Sequence, residues 1–207
     1  MSSAPALRSD LALISPWIRP GARVLDLGCG DGTLLAHLAE TRQVQGYGIE
    51  IDPDNVAACV ARGVDVLQID IDAGLREFET DAFDYVVMTQ ALQALKRPDL
   101  TLAEILRIGQ TGIVTFPNFG HWRARLSLGL GRMPMTRTLP TPWYASENIH
   151  LCTVRDFEWL AQAQRWQLLR RSLVDRDHED GPLTRLLPNL FAEVAVYELR
   201  RGAETPA

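Results

Sequence analysis

The chain has 207 residues, 46% hydrophobic and 23% charged, with a formal net charge of −5. That length supports one well-buried domain over residues 1–207, and the acidic balance excludes a general nucleic-acid or anionic-membrane binder. No apolar run approaches a membrane span or a signal peptide, and Cys29, Cys59 and Cys152 are odd in number and lack metal spacing, so a reduced cytoplasmic protein without a metal centre is expected.

Leu7, Leu11, Ile14 and Ile18 predict one face of a leading helix within residues 7–19, interrupted or restarted at Pro16. Pro20-Gly21 is a turn, and residues 23–27 form a first strand. A helix is expected over about 31–40, a second strand over 45–49 ending at Glu50, and a helix from Pro53 to about Arg62, N-capped by Asp52. Residues 64–69 predict a third strand before the acidic loop Asp70-Ile-Asp72, and residues 83–88 a nearly unbroken apolar strand, as in the middle of a parallel sheet. A helix over 100–108, a strand over 112–116, a helix opening at the capping box Thr153-x-x-Asp156, and strands over 166–174 and 193–199 complete the pattern. The β-α-β-α cadence with short connections predicts a doubly wound α/β sheet.

The stretch Val24-Leu-Asp-Leu-Gly-Cys-Gly-Asp-Gly-Thr-Leu34 organises the chain. Gly28, Gly30 and Gly32 lie at a strand-to-helix turn, where glycine lets the backbone come close to a ligand and a helix N-terminus suits an anionic or carboxylate-bearing group. The spacing is G-x-G-x-G rather than the dinucleotide G-x-G-x-x-G, and Asp26 precedes the first glycine by two. This arrangement resembles the first motif of class I methyltransferases, which bind S-adenosylmethionine (SAM). The resemblance implies a Rossmann-like, seven-stranded, mostly parallel sheet closed by a hairpin, with the turn around the amino-acid end of the cofactor and Asp26 helping to hold it. Glu50, ending the second strand, has the place from which a carboxylate accepts ribose hydroxyls in nucleoside-binding α/β folds. By the same resemblance Asp70, with Asp72 as an alternative, lies near the adenine amino group, Ile51 packs on the adenine face, and Gln90 lines the methionine end.

The sequence also departs from that family. Many small-molecule methyltransferases carry Leu-Glu-His after the fourth strand, whereas this chain has Leu92-Gln93-Ala94, which removes the obvious general base. His121 and His150 remain as acid/base candidates, each more often structural. Residues 118–146 contain no acid, carry Arg123, Arg125, Arg132 and Arg137, and present Trp122, Trp143 and Tyr144, with Pro134, Pro140 and Pro142 keeping much of the segment irregular. Such a basic aromatic insertion reads either as a partner interface or as a strap over the sheet edge. The cofactor motifs lie elsewhere in the chain, so charge reversal at Arg123 plus Arg125 is expected to weaken a partner complex while leaving SAM binding intact. If SAM favours one state of that complex, complex formation shifts SAM affinity by the same factor.

The first motif, Gly46-Tyr-Gly-Ile-Glu-Ile-Asp-Pro-Asp-Asn55, Phe116-Pro-Asn-Phe-Gly-His-Trp122, Asn148-Ile-His-Leu-Cys-Thr153 and Pro188-Asn-Leu-Phe-Ala-Glu193 together resemble the MetW family of methionine biosynthesis proteins. That resemblance covers roughly residues 7–199. It implies a partner subunit that binds SAM or S-adenosylhomocysteine (SAH) and supports homoserine O-acylation by the acyltransferase MetX. The alternative is a free-standing SAM-dependent methyltransferase acting on a small molecule.

Overall fold

The computed structural model describes residues 9–136, 140–146, 149–174, 184 and 186–202. Leu7, Arg137 and Asn148 therefore lie outside the described residues. Seven strands form one sheet: β1 (Arg23–Leu27), β2 (Gln45–Glu50), β3 (Asp65–Gln68), β4 (Phe83–Thr89), β5 (Gly109–Pro117), β6 (Gln167–Val174) and β7 (Val194–Arg200). Their order is β3-β2-β1-β4-β5-β7-β6, parallel except for β7, which runs antiparallel to both β5 and β6. The doubly wound sheet and its closing hairpin are those the sequence predicts.

The helices are α1 (Ser9–Ile14), α2 (Thr33–Arg42), α3 (Pro53–Ala61), α4 (Pro98–Ile108), α5 (Trp122–Gly129), α6 (Val154–Ala163) and α7 (Pro188–Phe191). After α1 a 3-10 turn runs over Ser15–Trp17, so Pro16 does interrupt the leading helix. Asp52 caps α3 by accepting from the Asp54 N–H at 2.8 Å, and the Thr153–Asp156 capping box opens α6. Helix α5 is a departure from the expected irregular insertion. Its residues contain no breaker before Gly129, and the prolines that suggested irregularity start only at Pro134.

The central strands are buried on both faces, which their alternation makes visible. Leu25 and Leu27 of β1, Val86 and Met88 of β4, and Val114 and Phe116 of β5 pack with α4 and α6. Val24, Tyr85, Val87 and Ile113 point the other way, against α1, α2 and α3. Sheet order reverses between β1 and β4, so the crevice above their carboxyl ends is where a fold of this kind receives a ligand.

Candidate functional site

The turn after β1 is pinned to β2: the Gly28 and Cys29 N–H groups both donate to the Ile49 carbonyl, at 2.8 and 3.0 Å. Gly30 has φ +55° and a Cβ there would meet nothing within 4 Å. Its backbone lies in the left-handed region that favours glycine, and the space a Cβ would take is open. Gly32 is needed for another reason, since its Cβ would lie 2.9 Å from Cys59 Sγ of α3. Cys29 and Cys59 place their sulfurs 3.8 Å apart. Burial, then the Asp26 charge, pushes the Cys29 thiol far above its usual range, which leaves it protonated and a packing residue.

Glu50 closes this turn from the end of β2. Its Oε2 accepts from the Gly30 N–H at 2.8 Å, and Oε1 accepts from Ile51 N at 2.9 Å and Asp52 N at 3.0 Å. A carboxylate offers about four lone-pair sites, so these three bonds leave one. The sequence predicts a ligand-binding Glu50; what the structure shows is Glu50 building the turn.

A cleft of about 790 Å³ opens beside it. Among the expected site residues it gathers Gly28, Glu50, Ile51, Asp70 and Gln90, whereas Asp26, Gly30 and Gly32 lie outside its lining. Asp26 is 1% exposed, within β1 behind the turn. Ile51, Ile69 and Ile71 give the cleft an apolar side, with Ile51 59% exposed. Asp70 accepts from the Asp72 N–H at 2.9 Å, and Asp72 accepts from the Lys96 N–H at 2.9 Å, so Asp72 fastens the rim. Gln90 has φ +56°, and its N–H is shared between the Thr115 carbonyl (3.0 Å) and Thr115 Oγ1 (3.1 Å).

The turn after β4 carries no base. Gln93 is 1% exposed, its Nε2 donates to the Pro117 carbonyl at 3.0 Å, and Ala94 lines the cleft with a methyl group. His121 is buried at the start of α5, where Nδ1 accepts weakly from the Arg123 N–H at 3.4 Å. Burial holds its pKa below the ordinary value, with Glu193 pulling upward and Arg123 adding to the lowering. His150 Nε2 lies 3.1 Å from the Lys96 carbonyl oxygen. Neither histidine lines the cleft; among the described residues its lining contains no histidine and no cysteine.

Sequence reasoning missed Asn55, in the first turn of α3, and Pro140, Thr141 and Ala145 of the basic insertion, all of which line the cleft. Asn55 stood inside a quoted motif and was legible from its place just after Glu50. The insertion residues gave no signal, because tertiary packing brings them there. Part of the insertion thus lies at the cleft, whereas Arg123 and Arg125 are outside its lining. The Asn118, Cys152 and Glu193 stretches also converge: the Asn118 N–H donates to the Glu193 carbonyl (2.8 Å) and the Phe119 N–H to the Cys152 carbonyl (3.0 Å).

The sheet order and the glycine turn at its switch point define the class I methyltransferase fold. A SAM-dependent methyltransferase from Archaeoglobus fulgidus superimposes with a TM-score of 0.66 at 15% identity, covering 93% of this chain and 92% of that one. The chain belongs to the family of methionine biosynthesis protein MetW, whose model matches residues 8–199. The bifunctional methionine biosynthesis protein MetXA/MetW of Rhodopirellula baltica is 31% identical over 95% of this chain, which spans only 34% of that relative's length. Nocamycin O-methyltransferase of Saccharothrix syringae is 34% identical over 57% of this chain and 46% of its own. Membership of the MetW family assigns the chain to methionine biosynthesis.

Proposed function

We propose that this chain is the SAM- or SAH-binding partner subunit of a homoserine O-acyltransferase, acting in the acylation that opens methionine synthesis. The observation that carries this reading is the bifunctional relative, in which a MetW unit and a MetXA unit share one polypeptide. Fusion holds two units at high effective concentration, which supports an association between separate chains that share the task. The cleft fits that reading: its described lining holds no histidine or cysteine, and Gln93, outside that lining, donates through Nε2 to the Pro117 carbonyl.

An S-adenosyl ligand fits the residues present. The open space over Gly30 admits its amino-acid end beside Gly28 and Gln90, with Asp26 and Gly32 shaping the turn from behind. The remaining acceptor site of Glu50 takes a ribose hydroxyl, Ile51 covers an adenine face, and Asp70 accepts from the adenine amino group. When bound, SAM supplies an electrophilic methyl group; the chain's residues bind and orient the ligand, and the turn after β4 carries Leu92-Gln93-Ala94 in place of Leu-Glu-His.

One observation favours the alternative of a small-molecule methyltransferase, the kinship with nocamycin O-methyltransferase. Transfer to an already nucleophilic acceptor needs only positioning. Size-exclusion chromatography with the acyltransferase from the same source, paired with a labelled-methyl assay over metabolite pools, separates the two. Co-elution without methyl turnover is expected; robust turnover by the isolated chain, with no complex, overturns the partner reading.

A further inference from the structure

The turn at Pro142–Ala145 has two sides that do different things. The Ala145 N–H donates to the Pro142 carbonyl at 3.0 Å, which sets Trp143 and Tyr144 at the corner. Their rings meet edge to face at 5.8 Å, and they are 72% and 75% exposed. Large rings this exposed are the residue types that anchor protein interfaces. On the other side, Pro140, Thr141 and Ala145 line the cleft that holds Glu50, Asp70 and Gln90. Just beyond, the Ile149 and His150 N–H groups donate to the Gln93 carbonyl at 2.9 and 3.0 Å. Gln93 belongs to the turn whose residues Ala91, Ala94 and Leu95 form another part of the cleft wall. Whatever seats the two rings therefore holds the same segment that a bound ligand touches.

We propose that the Trp143–Tyr144 turn is the docking point for the acyltransferase, and that docking and S-adenosyl ligand binding are linked through it. This rests on the partner reading above. The occupant is argued from the fused relative, which keeps both units together, and from charge: residues 118–146 contain no acid, and Arg123 and Arg132 are exposed beside Trp122 and Met133. Arg123 lies over the Trp122 ring, 5.3 Å from its centroid. A matching surface has apolar pockets for the rings, rimmed by carboxylates. The linkage is positive. A ligand that contacts Pro140, Thr141 and Ala145 and a partner that seats Trp143 and Tyr144 hold one and the same turn, so each favours the arrangement the other binds; by reciprocity the acyltransferase must tighten ligand binding by the same factor.

The test uses the full chain, SAH as the probe and calorimetry with and without saturating acyltransferase. The expected result is an SAH Kd at least about fivefold lower in the complex. W143S/Y144S, exposed on both counts and outside the core, should fold normally by thermal melt and bind SAH alone within about twofold of wild type. It should weaken the complex at least tenfold, roughly the cost of losing a paired aromatic anchor. Equal SAH affinity in the free and complexed chain overturns the linkage while the partner reading stands. A double variant that still binds the acyltransferase as wild type does, or a homodimer that dissolves in the variant, overturns the docking point. Failure of the wild-type chain to form a complex, or to bind SAH, overturns the inference together with the reading beneath it.

Discussion

Asn118 Nδ2 donates to the main-chain carbonyl oxygens of Asn189 (3.2 Å) and Ala192 (2.8 Å), tying the end of β5 to α7 across 71 positions of sequence. The same side chain accepts, through Oδ1, from the Gly120 N–H at 2.9 Å and the Val154 N–H at 3.2 Å, so one buried amide satisfies four backbone groups. Gly120 sits so close that a Cβ would come 2.9 Å from the Asn189 carbonyl oxygen and 2.6 Å from its Oδ1. This explains physically why Pro-Asn-Phe-Gly-His-Trp and Pro-Asn-Leu-Phe-Ala-Glu occur in one chain. They are two halves of one joint, beside the cleft but outside its lining.

Asn118→Ala leaves buried N–H and carbonyl groups without partners, each costing about 1–3 kcal/mol. A loss of roughly 3 kcal/mol in urea unfolding is expected, with Gly120→Ala losing about 1–3 kcal/mol through overpacking. Unchanged midpoints for both would deny the joint its structural role.

Much of this architecture was legible beforehand, and the reasons are local. Periodicity and turn chemistry located β1, β2 and β4 to within a residue, because Val24–Leu27 and Phe83–Met88 are buried on both faces and the glycine turn follows directly. Asp52 and the Thr153–Asp156 box announced their helices by capping chemistry. What escaped depends on contacts distant in sequence. Nothing near Thr141 tells that it lines a cleft with Gly28, and nothing near Glu50 tells that the Gly30 N–H, 20 positions earlier, donates to it. Helix α5 escaped because Pro134, Pro140 and Pro142 were allowed to colour residues ahead of them.

Glu50 builds the turn and, on the function proposed above, also binds the ligand, so its loss should show twice. Glu50→Ala removes three hydrogen bonds to a charged group, at about 1.5–3 kcal/mol each at most, and some of this is recovered by water entering the turn. Unfolding free energy should fall by about 2–4 kcal/mol, and SAH affinity by at least about tenfold, the equivalent of one lost charge-assisted bond. Denaturant titration and calorimetry check the pair. A destabilised variant that binds SAH as wild type does would leave Glu50 as a turn-builder alone.

Gln90 holds a left-handed conformation that costs a side-chain-bearing residue about 1–2 kcal/mol. Glycine relieves that strain, offset by about 0.5–1 kcal/mol of extra unfolded-state entropy. Gln90→Gly should therefore keep or slightly raise the thermal midpoint while weakening SAH binding several-fold. Lower stability together with unchanged binding would contradict the idea that strain is tolerated there for the ligand.

His121 predicts an acid-side loss of stability. Burial first, with Arg123 helping and Glu193 opposing, holds its folded pKa below the ordinary 6.5. As pH falls through that value the unfolded chain takes the proton first, so stability drops until the folded pKa is passed. Protonation also removes the Nδ1 acceptor from the Arg123 N–H. His121→Asn keeps an N-cap without titrating. Between about pH 7.5 and about pH 5 the wild type should lose more unfolding free energy than the variant in urea titrations; equal losses would assign the pH dependence elsewhere.

The central claim is that this chain serves homoserine acylation through a partner. The direct measurement is the rate of homoserine O-acylation by the acyltransferase from the same source, titrated with this chain. The rate should rise, saturate at a fixed stoichiometry and fail to rise with W143S/Y144S at the same concentrations. An acyltransferase that is fully active alone, with a rate that the chain does not change at any ratio, would contradict it.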